Sequence, residues 1–165
     1  MARWVVLATG PSMSQALADS VRHMPRVVVS NAFELAPDAD ALVSTDAAWW
    51  RHYPAAFGFA GRKFSVGCMD KRVEKVAGFQ TCSNSGLLGM VVAAKLGATE
   101  IILLGFDMAG GHYFGRHPEP LPNTQPSRYE FFKTQFATWA GPPVVNCTPG
   151  SALTCFPMGR IEDYL

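Results

Sequence analysis

The sequence predicts an α/β fold of three layers, with a mostly parallel sheet covered by helices on both faces. Three observations lead there. Short apolar runs rich in branched residues recur along the chain, helical patterns separate several of them, and polar residues or glycines cluster just after the runs.

In chain order, Arg3 to Ala8 is the first strand, because Gly10-Pro11 stops the apolar run too soon for a signal sequence. Ser12-Met13-Ser14-Gln15 then has capping-box spacing: Ser12 accepts from an N–H three residues on and Gln15 reaches back. Ala16, Leu17, Val21 and Met24 form the buried stripe of that helix and Pro25 ends it. Strands follow at Arg26 to Ser30, Ala41 to Ser44 and Arg62 to Val66. Asp46 precedes Ala47-Ala48-Trp49-Trp50 and suits the N-cap of a second helix. Leu87 to Leu96 is a nearly all-apolar helix, opened by Ser83 or Asn84, closed by Gly97 and buried on most sides. The strand Glu100 to Gly105 comes next. Residues 106–126 show neither period, and so long a loop in a small domain reads as a lid or binding segment. Arg128 to Trp139 is helical, with Tyr129, Phe132, Phe136 and Trp139 on one face, and Val144 to Cys147 is the closing strand.

With 165 residues, 48% of them apolar, the chain suits one domain spanning 1–165 around one core. A net charge of +1 offers no general attraction to duplex nucleic acid or to an anionic membrane, so any anion site must be local. No apolar stretch approaches the ~20 residues of a membrane span. Cys68, Cys82, Cys147 and Cys155 lack zinc-site spacing and are expected as reduced thiols of a cytoplasmic protein. Phe131, Phe132 and Trp139, on a helix with few charges, make a homo-oligomer possible.

Ligands of open parallel sheets bind beyond the carboxyl ends of the strands, and that is where the polar residues cluster. Thr9, Gly10, Pro11 and Ser12 follow the first strand, Asn31 the second, Asp46 the third, and Gly105 with Asp107 the strand from Glu100. Gly10 permits close approach and the helix expected from Ser12 offers its positive end, which together suit a phosphate. Ser83, Asn84, Ser85 and Gly86 form a second helix start of the same kind, and capping alone explains either one. Asp46 and Asp107 could hold Mg²⁺ on a diphosphate, bind ribose hydroxyls or cap helices. In the long loop, His112 and His117 are candidate general bases, with Arg116 beside His117 able to meet a phosphate. One of the two tryptophans could stack on a base.

Gly10-Pro11-Ser12, Asn31, Ser85-Gly86, Leu96-Gly97, Ile102 to Asp107 and Asn146-Cys147-Thr148 with Ser151-Ala152-Leu153 and Phe156-Pro157 resemble two related groups of enzymes. These are the bacterial CMP-sialic-acid-dependent sialyltransferases and the 6-hydroxymethylpterin diphosphokinases. Thr45 to Trp50 also looks like small phage and prophage proteins, whose compartment would be the host cytoplasm. The sialyltransferase resemblance implies a Rossmann-like fold, a CMP-sugar donor, no metal, and inverting transfer assisted by a histidine base. It carries Gly10, Ser12, Asn31, Ser85 and Gly86 over as nucleotide-binding positions. Thr9 stands where that family usually has asparagine, and 126–130 lack its histidine. The diphosphokinase resemblance implies Mg-ATP at Asp46 and Asp107. The functional expectation is therefore a nucleotide-dependent, glycosyltransferase-like transferase, the alternatives being an Mg²⁺-dependent diphosphokinase using ATP and a phage accessory protein that binds a nucleotide without turnover.

Overall fold

Seven strands, all parallel, form one sheet in the order β5-β4-β3-β2-β1-β6-β7, as seen in a computed structural model that describes residues 2–79 and 83–165. They are β1 (Arg3–Leu7), β2 (Arg26–Val29), β3 (Ala41–Val43), β4 (Arg62–Ser65), β5 (Glu74–Lys75), β6 (Glu100–Leu104) and β7 (Val144–Asn146). Alternate strand residues feed two cores. Val5, Leu7, Val28, Leu42, Ile102 and Leu104 face the layer of α1 (Gln15–Ser20) and α2 (Ala47–His52). Val6, Val27, Val29, Val43, Ile101 and Leu103 face α3 (Ser85–Lys95) and α4 (Pro126–Phe136). With both faces covered, the strands need no polar alternation, which is why they read as continuous apolar runs. This is a three-layer α/β, Rossmann-like fold.

The order of strands matters for function. From β1 the chain builds outward through β2, β3, β4 and β5, then returns across the sheet to lay β6 on the other side of β1. The switch point therefore lies between β1 and β6, where the loops leaving the two strands diverge and open a crevice. Helix α3 spans β1, β2 and β3 on one face. It lies close because Gly89 has no side chain: a Cβ there would sit 2.8 Å from Val6 Cγ1 and 3.0 Å from Val29 Cγ2.

Several sequence expectations need correction. The first helix starts at Gln15 with Ser14 as N-cap, its hydroxyl accepting from the Leu17 amide at 3.1 Å. Ser12 does not cap it, and Gln15 donates instead to Asp19 and to the Leu35 carbonyl. The helix has six residues, Ala16 is exposed, and Met13 and Ala18 supply burial in its place. Asp46 occupies the N-cap position of α2, but its side chain makes no capping bond. Asn31 stands in a 3-10 turn, Ser30–Glu34, that continues directly from β2. Helix α4 begins two residues earlier than its apolar face suggests, with Pro126 in the first turn where a missing N–H costs nothing. Strand β5 is a short, exposed edge pair whose polar residues carry no apolar signal. Among the described cysteines, Cys68 and Cys147 are buried and Cys155 exposed, all as free thiols; Cys82 lies outside the described residues. Among the described residues no helix is long and apolar enough to cross a membrane.

Candidate functional site

At the switch point the structure holds a cavity of about 540 Å³, bounded by the ends of β1, β2, β3 and β6, the first turn of α3, the 106–126 loop and the start of α4. It gathers most of the residues that sequence reasoning selects. Thr9 and Gly10 line it, with Asp46, Ser83, Asn84, Ser85, Gly86, Gly105, His112 and His117. Five others do not reach it: Pro11, Ser12, Asn31, Asp107 and Arg116.

The turn after β1 is occupied by the protein itself. Gly10 N donates to Gly105 O at 2.8 Å, joining the two loops that flank the switch point. Asp107 then turns its carboxylate into the Gly10-Ser12 turn, where Oδ1 accepts from the Ser12 hydroxyl at 2.7 Å and the Ser12 amide at 3.4 Å. Gly10 is obligatory here, since a Cβ would lie 2.7 Å from Asp107 Cγ. The expected phosphate cradle thus holds an aspartate, and no helix start stands behind it, because α1 opens three residues later.

Asn31 is also a supporting residue. It is 2% exposed, its Oδ1 accepts from Trp49 Nε1 at 2.9 Å, and its Nδ2 donates to Glu34. The bond holds Trp49 in the cavity wall edge-on to Trp50, 5.1 Å between ring centroids. The Asn31 carbonyl accepts from the Tyr113 hydroxyl at 2.9 Å, and Tyr113 N donates to Thr9 O at 2.8 Å. Through those two bonds the long loop is tied down over the ends of β1 and β2.

Helix α3 points its first turn into the cavity. Asn84 is its N-cap, accepting from Leu87 N at 3.1 Å, while the amides of Ser85 and Gly86 have no partner within the helix. The Ser85 hydroxyl accepts from Thr45 N at 3.0 Å and bonds the Thr45 hydroxyl, fixing the helix start against the end of β3. Asp46 comes from the same strand end, and its Oδ1 accepts from Ser83 Oγ at 3.1 Å.

The opposite wall carries the two histidines. His112 Nδ1 is 2.7 Å from Thr9 Oγ1, His117 Nδ1 is 2.9 Å from the Tyr53 hydroxyl, and the two rings meet edge to face at 4.9 Å. Each Nδ1 is engaged by a hydroxyl, leaving Nε2 for a ligand. Burial pushes the His112 imidazole down to about 4, helped by the neighbouring His117, and burial also lowers His117. Both rings are neutral at pH 7, and among the described residues neither has a carboxylate partner. Burial raises the Tyr53 phenol, so its hydroxyl stays protonated beside His117 Nδ1. Arg116, expected to meet a phosphate, is exposed and off the cavity; Arg128 at the start of α4 is the cationic side chain in the wall. Tyr129, Phe132, Phe106 and Met108 add apolar and aromatic surface.

Asp46 lines the cavity, Asp107 serves Ser12, and among the described residues no three His, Cys, Asp or Glu side chains gather as a metal centre.

Backbone strain concentrates in this cavity. Three described non-glycine residues have left-handed φ: Ser30 at 47°, Ser83 at 57° and Met108 at 56°. All three line it. Such conformations cost about 1–3 kcal/mol each and persist where the surrounding fold enforces them, most often at functional sites. Arg128 and Met108 carried no sequence signal beyond their place on or beside the long loop, and Tyr129 only its place on an aromatic helix face, since the contact that matters joins segments far apart in the chain.

Comparison of the chain with models of protein families, with curated proteins and with solved structures gives no match.

Proposed function

We propose that the chain is a nucleotide-dependent transferase of glycosyltransferase-like type, taking a CMP-sugar-type donor into the switch-point cavity. The observation that supports this most directly is the coincidence of that cavity with all three strained non-glycine residues and with two neutral imidazoles. About 540 Å³ falls within the range of small-molecule sites, and its mixed aromatic and polar lining suits a base and sugar with a few orienting hydrogen bonds.

In this reading an acceptor hydroxyl attacks the anomeric carbon of the donor. The bond from that carbon to the phosphate oxygen breaks, CMP leaves with the electron pair, and the acceptor proton passes to Nε2 of His112 or His117. A neutral imidazole is the form required for that proton, and burial provides it. The ring that takes the proton donates Nδ1–H to its hydroxyl partner, Thr9 or Tyr53, leaving the lone pair on Nε2, and the other ring keeps its proton on Nε2.

The test is a thermal-shift titration against CMP, CMP-sialic acid and ATP, each with and without magnesium. Ligand at 100 times its Kd stabilises the fold by about 2.7 kcal/mol. A metal-independent rise with the cytidine ligands, removed by Thr124→Trp in the cavity wall, is expected. No shift with any nucleotide would end the reading.

A further inference from the structure

We propose that a nucleotide enters this cavity with its phosphate against His112, His117 and Arg128 and with its sugar or base against Asp46 and Ser83. The phosphate subsite is then neither of the two glycine- and serine-rich turns that the sequence singles out. This rests on the nucleotide reading above and adds to it the direction of the ligand.

Both turns already carry a negative charge of the chain's own. Asp107 fills the first, held by the Ser12 hydroxyl and amide and packed where a Gly10 side chain would be. The second, at the start of α3, faces Asp46, whose carboxylate accepts from Ser83. A phosphate brought to either place would meet a carboxylate in a partly dehydrated cavity, where like charges repel more strongly than in water.

The opposite wall has the complementary chemistry. Phosphate oxygens only accept hydrogen bonds, and a guanidinium and imidazole N–H groups are donors suited to them. The imidazoles are held by the Thr9 and Tyr53 hydroxyls, so no carboxylate competes when a dianion arrives. Other groups facing the pair are His52 beside His117, and Glu34, which acts on Tyr53 and Tyr113. Arg128 is the cationic side chain, and Asp46 the acidic one, among the described residues of the cavity lining. Asp46 accepts from donors, which a nucleotide offers in its ribose hydroxyls and exocyclic amine.

The experiment follows the histidine C2–H resonances of the whole protein by NMR against pH, alone and with CMP, cytidine or inorganic pyrophosphate. CMP and pyrophosphate are expected to raise the His112 midpoint by about one unit or more, as a nearby opposite charge does, and cytidine to leave it in place. In parallel, Arg128→Met should weaken CMP by roughly tenfold to a hundredfold while changing cytidine little, which is the loss of one charged hydrogen bond. Asp46→Asn should weaken CMP and cytidine alike. Equal movement of His112 by CMP and cytidine would overturn the proposal, as would a CMP preference erased by Ser12→Ala and not by Arg128→Met. Pyrophosphate raising the midpoint with neither CMP nor cytidine binding would keep the anionic subsite and discard the nucleotide. Failure of both CMP and pyrophosphate to move it would discard the subsite.

Discussion

Replacing Gly89 by alanine tests the packing that sets the depth of α3 and, with it, the position of Ser85 and Gly86 in the cavity wall. The added methyl would approach Val6 Cγ1 to 2.8 Å and Val29 Cγ2 to 3.0 Å, against a comfortable 3.5–4.0 Å between carbons. Helix or sheet must give by roughly 0.5–1 Å to restore that spacing. Overpacking of this kind costs about 1–3 kcal/mol, whereas alanine in a helix interior is favoured over glycine by about 0.8–1.0 kcal/mol. The clash wins, and Gly89→Ala is expected to destabilise by about 0.5–2 kcal/mol in urea unfolding. In a Val6→Ala background the nearer obstacle is gone, so the same change should be close to neutral, giving a coupling of about 1 kcal/mol or more between neighbours. A stabilising single variant, or effects additive within about 0.5 kcal/mol, would refute the close approach of α3 to β1.

Two further predictions use the same structure. Asn146 is fully buried and donates to Ser151 Oγ and Leu153 O while accepting from Thr148 N, so Asn146→Ala should cost about 2–4 kcal/mol by leaving those groups unsatisfied; a loss under about 0.5 kcal/mol in denaturant unfolding would contradict that network. The His112 imidazole is lowered from 6.5 to about 4 in the folded protein, so between those values the unfolded chain binds the proton and the native state does not. Stability is therefore full above pH about 6.5 and falls as pH drops toward about 4, and His112→Asn should flatten that slope; an unchanged slope would place the pH response elsewhere.

Much of the scaffold was legible because burial on both sheet faces leaves a strong local mark. The runs at Arg3, Arg26, Ala41, Arg62, Glu100 and Val144 each contain a strand, and the apolar segment from Leu87 lies in α3. The first helix was misplaced at its start, since Ser12 and Ser14 both have capping chemistry and Asp107, 95 residues away, takes Ser12. Strand β5 was invisible, because an exposed edge pair of Glu74 and Lys75 needs no apolar pattern.

The sequence by itself determined the layered α/β architecture and the strand ends where polar residues collect, because both depend on local periodicity and on turn chemistry. Only the tertiary structure decided what those strand ends face. Crossing from β5 back to β6 creates the switch point; folding the long loop over it brings His112 to Thr9 and His117 to Tyr53. The same folding sends Asp107 into the Gly10-Ser12 turn and Asn31 beneath Trp49. Those are contacts between segments distant in the chain, made by side chains whose partners no local pattern names.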